Sequence, residues 1–213
     1  MMFPFVRGER MGYKIIDVLL PILIHFLALQ CTALFGGMDA AFRTMLASLL
    51  TMPLFYAWYR EDERFWSRST KKITWYAALL TVAAAAALNL LFSSILSALA
   101  AEYGISNQTQ EELLSGRMVF QILGMGLIVP VTEELVFRGL VYRRLERYLP
   151  RAAAVLLGAA LFAAYHGNLL QVLFAFPMGI VLILLYRHYG TLKMPILFHA
   201  ASNLTAILLG AGI

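Results

Sequence analysis

Thr132 to Gly139 reads "TEELVFRG", with two adjacent carboxylates, Glu133 and Glu134, and Arg138 four residues after the second. The stretch before it, "QILGMGLIVP", is apolar, and "AAAVLLGAALFAAYHG" follows a short basic segment. An ionised carboxylate in such surroundings costs at least about 2.5 kcal/mol, which makes intramembrane acids candidates for chemistry. On a helix, Glu134 and Arg138 share a face and can pair. Glu133 points roughly 100° away, with no partner nearby in sequence. One carboxylate is then neutralised and the other is left to act as a base. The alternative is a purely structural ion cluster of all three. "EELLSGR" at 111–117 shows that a double Glu is not specific alone, since its arginine comes one residue later and its surroundings are polar.

Two further stretches add the groups that a carboxylate base needs. "FAAYH" places Phe162 and His166 four residues apart, and "HAASN" does the same for His199 and Asn203. A carboxylate and an imidazole can hold and deprotonate a water, and imidazole and carboxamide N–H groups can stabilise an oxyanion. Glu133 and His166 lie sixteen residues on either side of the turn at Leu149-Pro150. Antiparallel helices leaving that turn would bring both to one level. His199 lies six residues, or roughly 9 Å, beyond Lys193. His25, Asn89 and Gln121 are read as packed, hydrogen-bonded residues, and His188 as interfacial. Glu133, His166 and His199 could alternatively hold zinc with an open position for water. No HExxH helix is present and Asn is a poor zinc ligand, so a site without a cofactor is the expectation and zinc the alternative. Pro130, three residues before Glu133, is expected to kink its helix and open room for water.

The elements that must position these groups are transmembrane helices. Hydrophobic residues make up 61% of the 213-residue chain, charged residues 14%, and mean hydropathy is +0.76. Soluble domains carry about a quarter charged residues. Recurrent apolar runs of near-spanning length predict an all-α, polytopic helical bundle of seven spans, at about 13–35, 40–59, 73–101, 116–140, 153–167, 169–187 and 192–210. The whole of 1–213 reads as one integral membrane domain, with the reactive motifs in about 130–205. The alanines at 83–87 are expected to let helices approach closely. Thr109 and Glu112 have the spacing of a capping box, and Asn107-Gln108-Thr109 is a sequon. Cys31 is the single cysteine, which excludes an internal disulfide and a cysteine-rich metal site.

Lysine and arginine decide the orientation. Alternate connecting segments carry fourteen basic residues against two. Those charges are topology signals; no nucleic acid is expected as a partner, and membrane lipid is. The N-terminus and the basic loops are predicted to be cytoplasmic and the C-terminus outside. Glu133 and Glu134 would then lie roughly 10–15 Å below the cytoplasmic boundary.

With Glu133-Glu134-Leu135-Val136-Phe137-Arg138 as EExxxR, Phe162 to His166 as FxxxH and His199 to Asn203 as HxxxN, the chain resembles the CPBP family. That family includes CAAX prenyl proteases of the type-2, Rce1-like kind and bacterial Abi enzymes. "EELVFRGLV" and "GTLKMPILFHAASN" extend the likeness, which covers about 130–205. The resemblance implies an intramembrane endopeptidase acting on a peptide or a lipidated protein, prenylated or not, at a site open to the cytoplasm. Residue by residue, it implies Glu133 as the principal carboxylate and His166 as its partner. His199 and Asn203 would stabilise the oxyanion, Glu134 and Arg138 would support the geometry, and Phe162 would pack. The short chain and compact loops point to a bacterial inner membrane. Two other functions compete: a non-catalytic immunity or scaffold protein that keeps the motifs, and a transporter. A transporter would need a polar path across the bilayer, whereas the polar groups here sit at one depth.

Overall fold

The computed structural model describes residues 11–65, 68–105 and 108–209; Arg7, Arg10, Asn107 of the sequon and the side chain of Thr109 lie outside the described residues. Among the described residues every element is helical: α1 (Met11–Ala33), α2 (Ala40–Phe65), α3 (Trp75–Tyr103), the short α4 (Gln108–Leu114), α5 (Met118–Tyr148), α6 (Arg151–Ala164), α7 (Leu169–Tyr189) and α8 (Lys193–Leu209). All seven predicted spans correspond to helices. Five of them, α1, α2, α3, α5 and α7, are long and apolar enough to cross a membrane. The other two, α6 and α8, are apolar but have 14 and 17 residues, against the ~20 that a full crossing takes.

The bundle is arranged for lipid. Leu23 and Leu27 of α1, Leu50 of α2, and Leu79 and Leu80 of α3 are exposed, while Ser48, Asn89, Thr132, Glu134 and Arg138 are buried. Helices in lipid associate through small and polar residues rather than through a hydrophobic stripe. α3 shows this plainly: Thr81, Ala85, Asn89 and Ser93 are buried at every fourth position, on a helix that packs against α8. Of the alanines at 83–87 only Ala85 is buried; the approach is made by the four-residue stripe, not by the run.

Two ends can be distinguished by their contacts. At the basic end, the Lys71 N–H donates to the Tyr189 carbonyl at 3.0 Å, and Arg144 bonds to Asp62 at 3.2 Å and to the Asp17 carbonyl at 2.7 Å. The start of α1, the end of α2, the end of α5 and the α7–α8 turn therefore meet there. At the opposite end, Asp39 before α2 accepts the Arg117 N–H at 2.6 Å, the Ala41 N–H at 2.9 Å and the Phe42 N–H at 3.2 Å. A Cβ at Gly116 would overlap the Asp39 carboxylate, so this clasp needs glycine.

α5 carries the central residues. Val129–Glu134 is α-helical, and Pro130 stands there in the interior of α5, so its missing N–H falls within the helix. It lies between two π-helical stretches, Gln121–Ile128 and Leu135–Tyr142. Such widened turns recur at functional sites because they re-aim the side chains that follow. Glycines let neighbours close on the first stretch: a Cβ at Gly124 would meet Met45 of α2, and one at Gly126 would meet Leu204 of α8.

Candidate functional site

The second carboxylate of the pair is the paired one. Glu134 is fully buried, and its Oε1 accepts from Arg138 Nη1 at 2.8 Å and meets His199 Nδ1 at 2.8 Å. Arg138, also fully buried, donates to the Gly179 carbonyl at 3.4 Å and lies 4.1 Å from the centre of the Phe162 ring. A guanidinium over an aromatic face is attracted by the ring quadrupole, more strongly where water is excluded. Gly179 makes the stack possible, because a Cβ there would press on Phe162 and Ala159 at 3.2–3.3 Å. Phe162 also meets His166 and His199 edge-on, at 4.9 and 5.8 Å between ring centres. It is the hub on which the arginine and both imidazoles rest.

Glu133 has a different environment. It is 8% exposed and lines a cavity of about 480 Å³ together with Phe162, His166, His199 and Asn203. The structure thus brings the cavity-facing residues of all three motifs to one place, with Glu134 and Arg138 behind them. His199 Nε2 lies 3.6 Å from Glu133 Oε2, beyond direct hydrogen-bond range. With Nδ1–H donated to the arginine-paired Glu134, Nε2 of a neutral His199 is an acceptor facing an acceptor. The contact is favourable with one proton shared between them or with a water bridging them. His199 therefore spans both carboxylates, which the spacing of the motifs did not foretell.

His166 Nδ1 lies 2.8 Å from the Phe162 carbonyl. A carbonyl only accepts, so Nδ1 carries the proton and Nε2 of the neutral ring keeps its lone pair. Asn203 Nδ2 donates to the Met125 carbonyl at 2.8 Å, which fixes the carboxamide plane and leaves the second amide hydrogen for another acceptor. Asn89 donates to Ser202 at 3.2 Å and Gln121 donates to the Leu114 and Gly116 carbonyls at 2.7 and 2.8 Å, the packed state expected of both.

Two residues belong nearer the site than the sequence suggested. Tyr165 lines the cavity, and its hydroxyl meets His25 Nδ1 at 2.7 Å. The only sequence signal for Tyr165 was its place beside His166 in "FAAYH".

The cavity is lined by Gln30 and Ala33 at the end of α1, Arg43 and Thr44 at the start of α2, and Glu112 of α4. These belong to the end carrying the Asp39 clasp, not to the basic end. The cavity therefore extends from Glu133 towards the clasp end of the bundle.

Among the described residues no group of three or more His, Cys, Asp and Glu side chains is arranged to hold a metal ion. Nδ1 of His199 is on Glu134 and Nδ1 of His166 on a carbonyl, so both rings keep Nε2 for the cavity. Glu133, His166 and His199 do not form such a group in this geometry.

Residues 115–205 match the family described as Type II CAAX prenyl endopeptidase Rce1-like. No characterised protein and no solved structure matches the chain.

Proposed function

From the match of residues 115–205 to the Rce1-like family of type II CAAX prenyl endopeptidases, we propose that this integral membrane protein hydrolyses a peptide bond with a water activated by Glu133 and histidine. The substrate is a peptide or a protein, prenylated or not, presented in contact with membrane lipid. A bacterial inner membrane is the proposed location, with the N-terminus cytoplasmic and the C-terminus outside. A site reached from the cytoplasm is part of the same reading, as in the family that residues 115–205 resemble.

The observation that carries the proposal is the unequal fate of two neighbouring acids. Glu134 is held by Arg138 and His199, whereas Glu133 faces a cavity with an imidazole nitrogen 3.6 Å away. Water held between Glu133 and the imidazoles gives up a proton to the Glu133 carboxylate as its oxygen bonds to the scissile carbonyl carbon. Nε2 of His166, unprotonated in the neutral ring, accepts the second hydrogen of that water and orients it. The carbonyl oxygen gains negative charge. His199, protonated at Nε2 in this state, and the free amide hydrogen of Asn203 stabilise it. One such donor is commonly worth about 3–4 kcal/mol. As the C–N bond breaks, the proton passes from Glu133 to the leaving amine. Glu134, Arg138 and Phe162 act through the imidazoles as positioning residues. No metal takes part in this scheme.

Purified Glu133→Ala, His166→Ala and His199→Ala proteins, checked for folding, test it against a pool of fluorescence-quenched peptides in micelles. Loss of cleavage in all three is the expected result; cleavage surviving Glu133→Ala contradicts it. A chelator series with zinc add-back is expected to leave the wild-type rate unchanged, and activity that follows the metal overturns the metal-free scheme. A phenotype in cells that survives all three substitutions would favour the non-catalytic scaffold reading.

A further inference from the structure

A polar group buried between helices needs a partner inside the protein. Most hydroxyls of this bundle find one on their own helix. Those of Thr44, Thr51, Thr81 and Thr205 donate to the carbonyl four residues earlier, at 2.8–3.0 Å. Ser93 of α3 does not. It is 4% exposed, and its Oγ has no hydrogen-bond partner among the described residues. One turn earlier stands Asn89, 3% exposed. Its Nδ2 donates to Ser202 Oγ of α8 at 3.2 Å. That bond fixes the carboxamide and leaves Oδ1 a buried acceptor with no donor among the described residues.

Asn89, Ser93 and Ser202 all line the cavity that holds Glu133, His166, His199 and Asn203. Ser48 Oγ of α2 is also buried and unpaired, but Ser48 does not line this cavity. Leaving a buried polar group unpaired costs its desolvation, and alanine at 93 would avoid that cost. Two such groups one turn apart, on the wall of the cavity that holds the reactive residues, call for an occupant that bonds to them. α3 lies outside residues 115–205, so the family match says nothing of this wall.

The spacing says which occupant fits. Asn89 and Ser93 are four residues apart on one helix face, roughly 6 Å along the axis. An extended polypeptide presents an N–H and a C=O on the same edge at every second residue, roughly 6.6 Å apart. A carboxamide oxygen accepts an N–H, and a hydroxyl accepts an N–H or donates to a C=O. We propose that Asn89 and Ser93 hold the backbone of an extended peptide substrate along α3, in the cavity that Glu133 lines. An isoprenoid chain offers neither an N–H nor a C=O, so these residues bind the peptide part of a substrate, lipidated or not. Apolar wall residues such as Phe174 and Met178 are left for its side chains. What becomes of the bound peptide rests on the endopeptidase reading; the binding does not.

The fluorescent peptide pool, titrated against the Glu133→Gln protein in micelles, tests this without turnover. The tightest-binding member is then remade with each backbone N–H in turn replaced by an ester oxygen. Ser93→Ala in that background is expected to weaken binding about 2–10-fold, the range of one net hydrogen bond. Its thermal midpoint is expected to equal or exceed that of its parent, since an unpaired buried hydroxyl is gone. One ester position is expected to weaken binding by a similar factor and to lose that effect in Asn89→Ala. Ser48→Ala, which removes the unpaired hydroxyl outside the cavity, is expected to leave binding unchanged. Unchanged binding in Ser93→Ala overturns the proposal, and a midpoint that falls alongside it assigns Ser93 to packing. An ester effect that persists in Asn89→Ala, or a pool of which no member binds, overturns it as well. Should Asn89→Ala fail to fold, because it also loses the Ser202 bond, Ser93→Ala decides alone. Peptides that bind through Ser93 but that the wild-type protein does not cut remove the endopeptidase reading and leave the binding wall standing.

Discussion

The molecule holds two clusters of charge, one buried and one partly exposed, and they are built on different stoichiometries. At the basic end Asp62 takes Arg144 and Arg147 at 3.2 Å each, Asp17 takes Arg144 at 3.4 Å and the Tyr148 hydroxyl at 3.0 Å, and Glu146 takes Arg68 and Tyr142. Each of these acids has a permanent cation. In the second cluster Glu133 and Glu134 share one permanent cation, Arg138, and the shortfall is met by histidines. Arginine cannot give up its proton, whereas histidine can. The matched cluster can fix helix ends and do little else. The deficient one keeps a carboxylate and imidazoles able to exchange protons, and it alone lines the cavity.

Removing cations or anions from each cluster should separate these roles. The largest effect is expected from Arg138→Gln, which leaves the buried Glu134 without its cation. Breaking a buried pair from one side costs about 3–5 kcal/mol, so thermal unfolding in detergent should fall sharply and cleavage should vanish with it. Asp62→Asn weakens charge-assisted bonds worth about 1.5–3 kcal/mol each. Stability should drop, while the cleavage rate per folded molecule stays at the wild-type value. A matching loss of rate would show that the basic end belongs to the chemistry after all. Gly179→Ala crowds Phe162 by a single methyl; overpacking of this kind costs about 1–3 kcal/mol, and unfolding should report that loss together with a reduced rate from the displaced stack.

The smallest effect is expected at the clasp. Burial works to raise the Asp39 carboxyl, but the Arg117, Phe42 and Ala41 N–H bonds and the Arg117 charge outweigh it and hold it below the usual carboxylate range. A group whose folded pKa is depressed contributes its stability above the unfolded value and loses it as pH falls through the folded one. The thermal midpoint in detergent should therefore fall in acid below the ordinary aspartate range. Asp39→Asn should remove that pH dependence while leaving cleavage near neutral pH little changed.

The difference between the clusters was partly legible in the sequence. Glu133, Glu134 and Arg138 could be sorted into a pair and a remainder because a helix fixes the angle between neighbours, and the structure keeps that sorting. The common level of Glu133 and His166 followed from counting outward from Leu149-Pro150. His199 bridging both acids was not legible, since it depends on how α8 is rotated against α5, and rotation is set by contacts such as Gly126 with Leu204. The widened turns around Pro130 left no periodic trace. The course of the cavity was also hidden, because it depends on how side chains from several helices, such as Phe162 and Met178, pack around it. Seven apolar segments were readable as helices, but the shortness of α6 and α8 appears only where their caps and turns are placed.

The most direct test of the central claim is the cleavage rate of Glu133→Gln, which keeps the shape of the side chain and removes its basicity. Loss of a general base commonly costs about 10²–10⁴-fold. The account predicts a fall of that size with the thermal midpoint unchanged from wild type. A Glu133→Gln protein that folds normally and still cuts at the wild-type rate would contradict it.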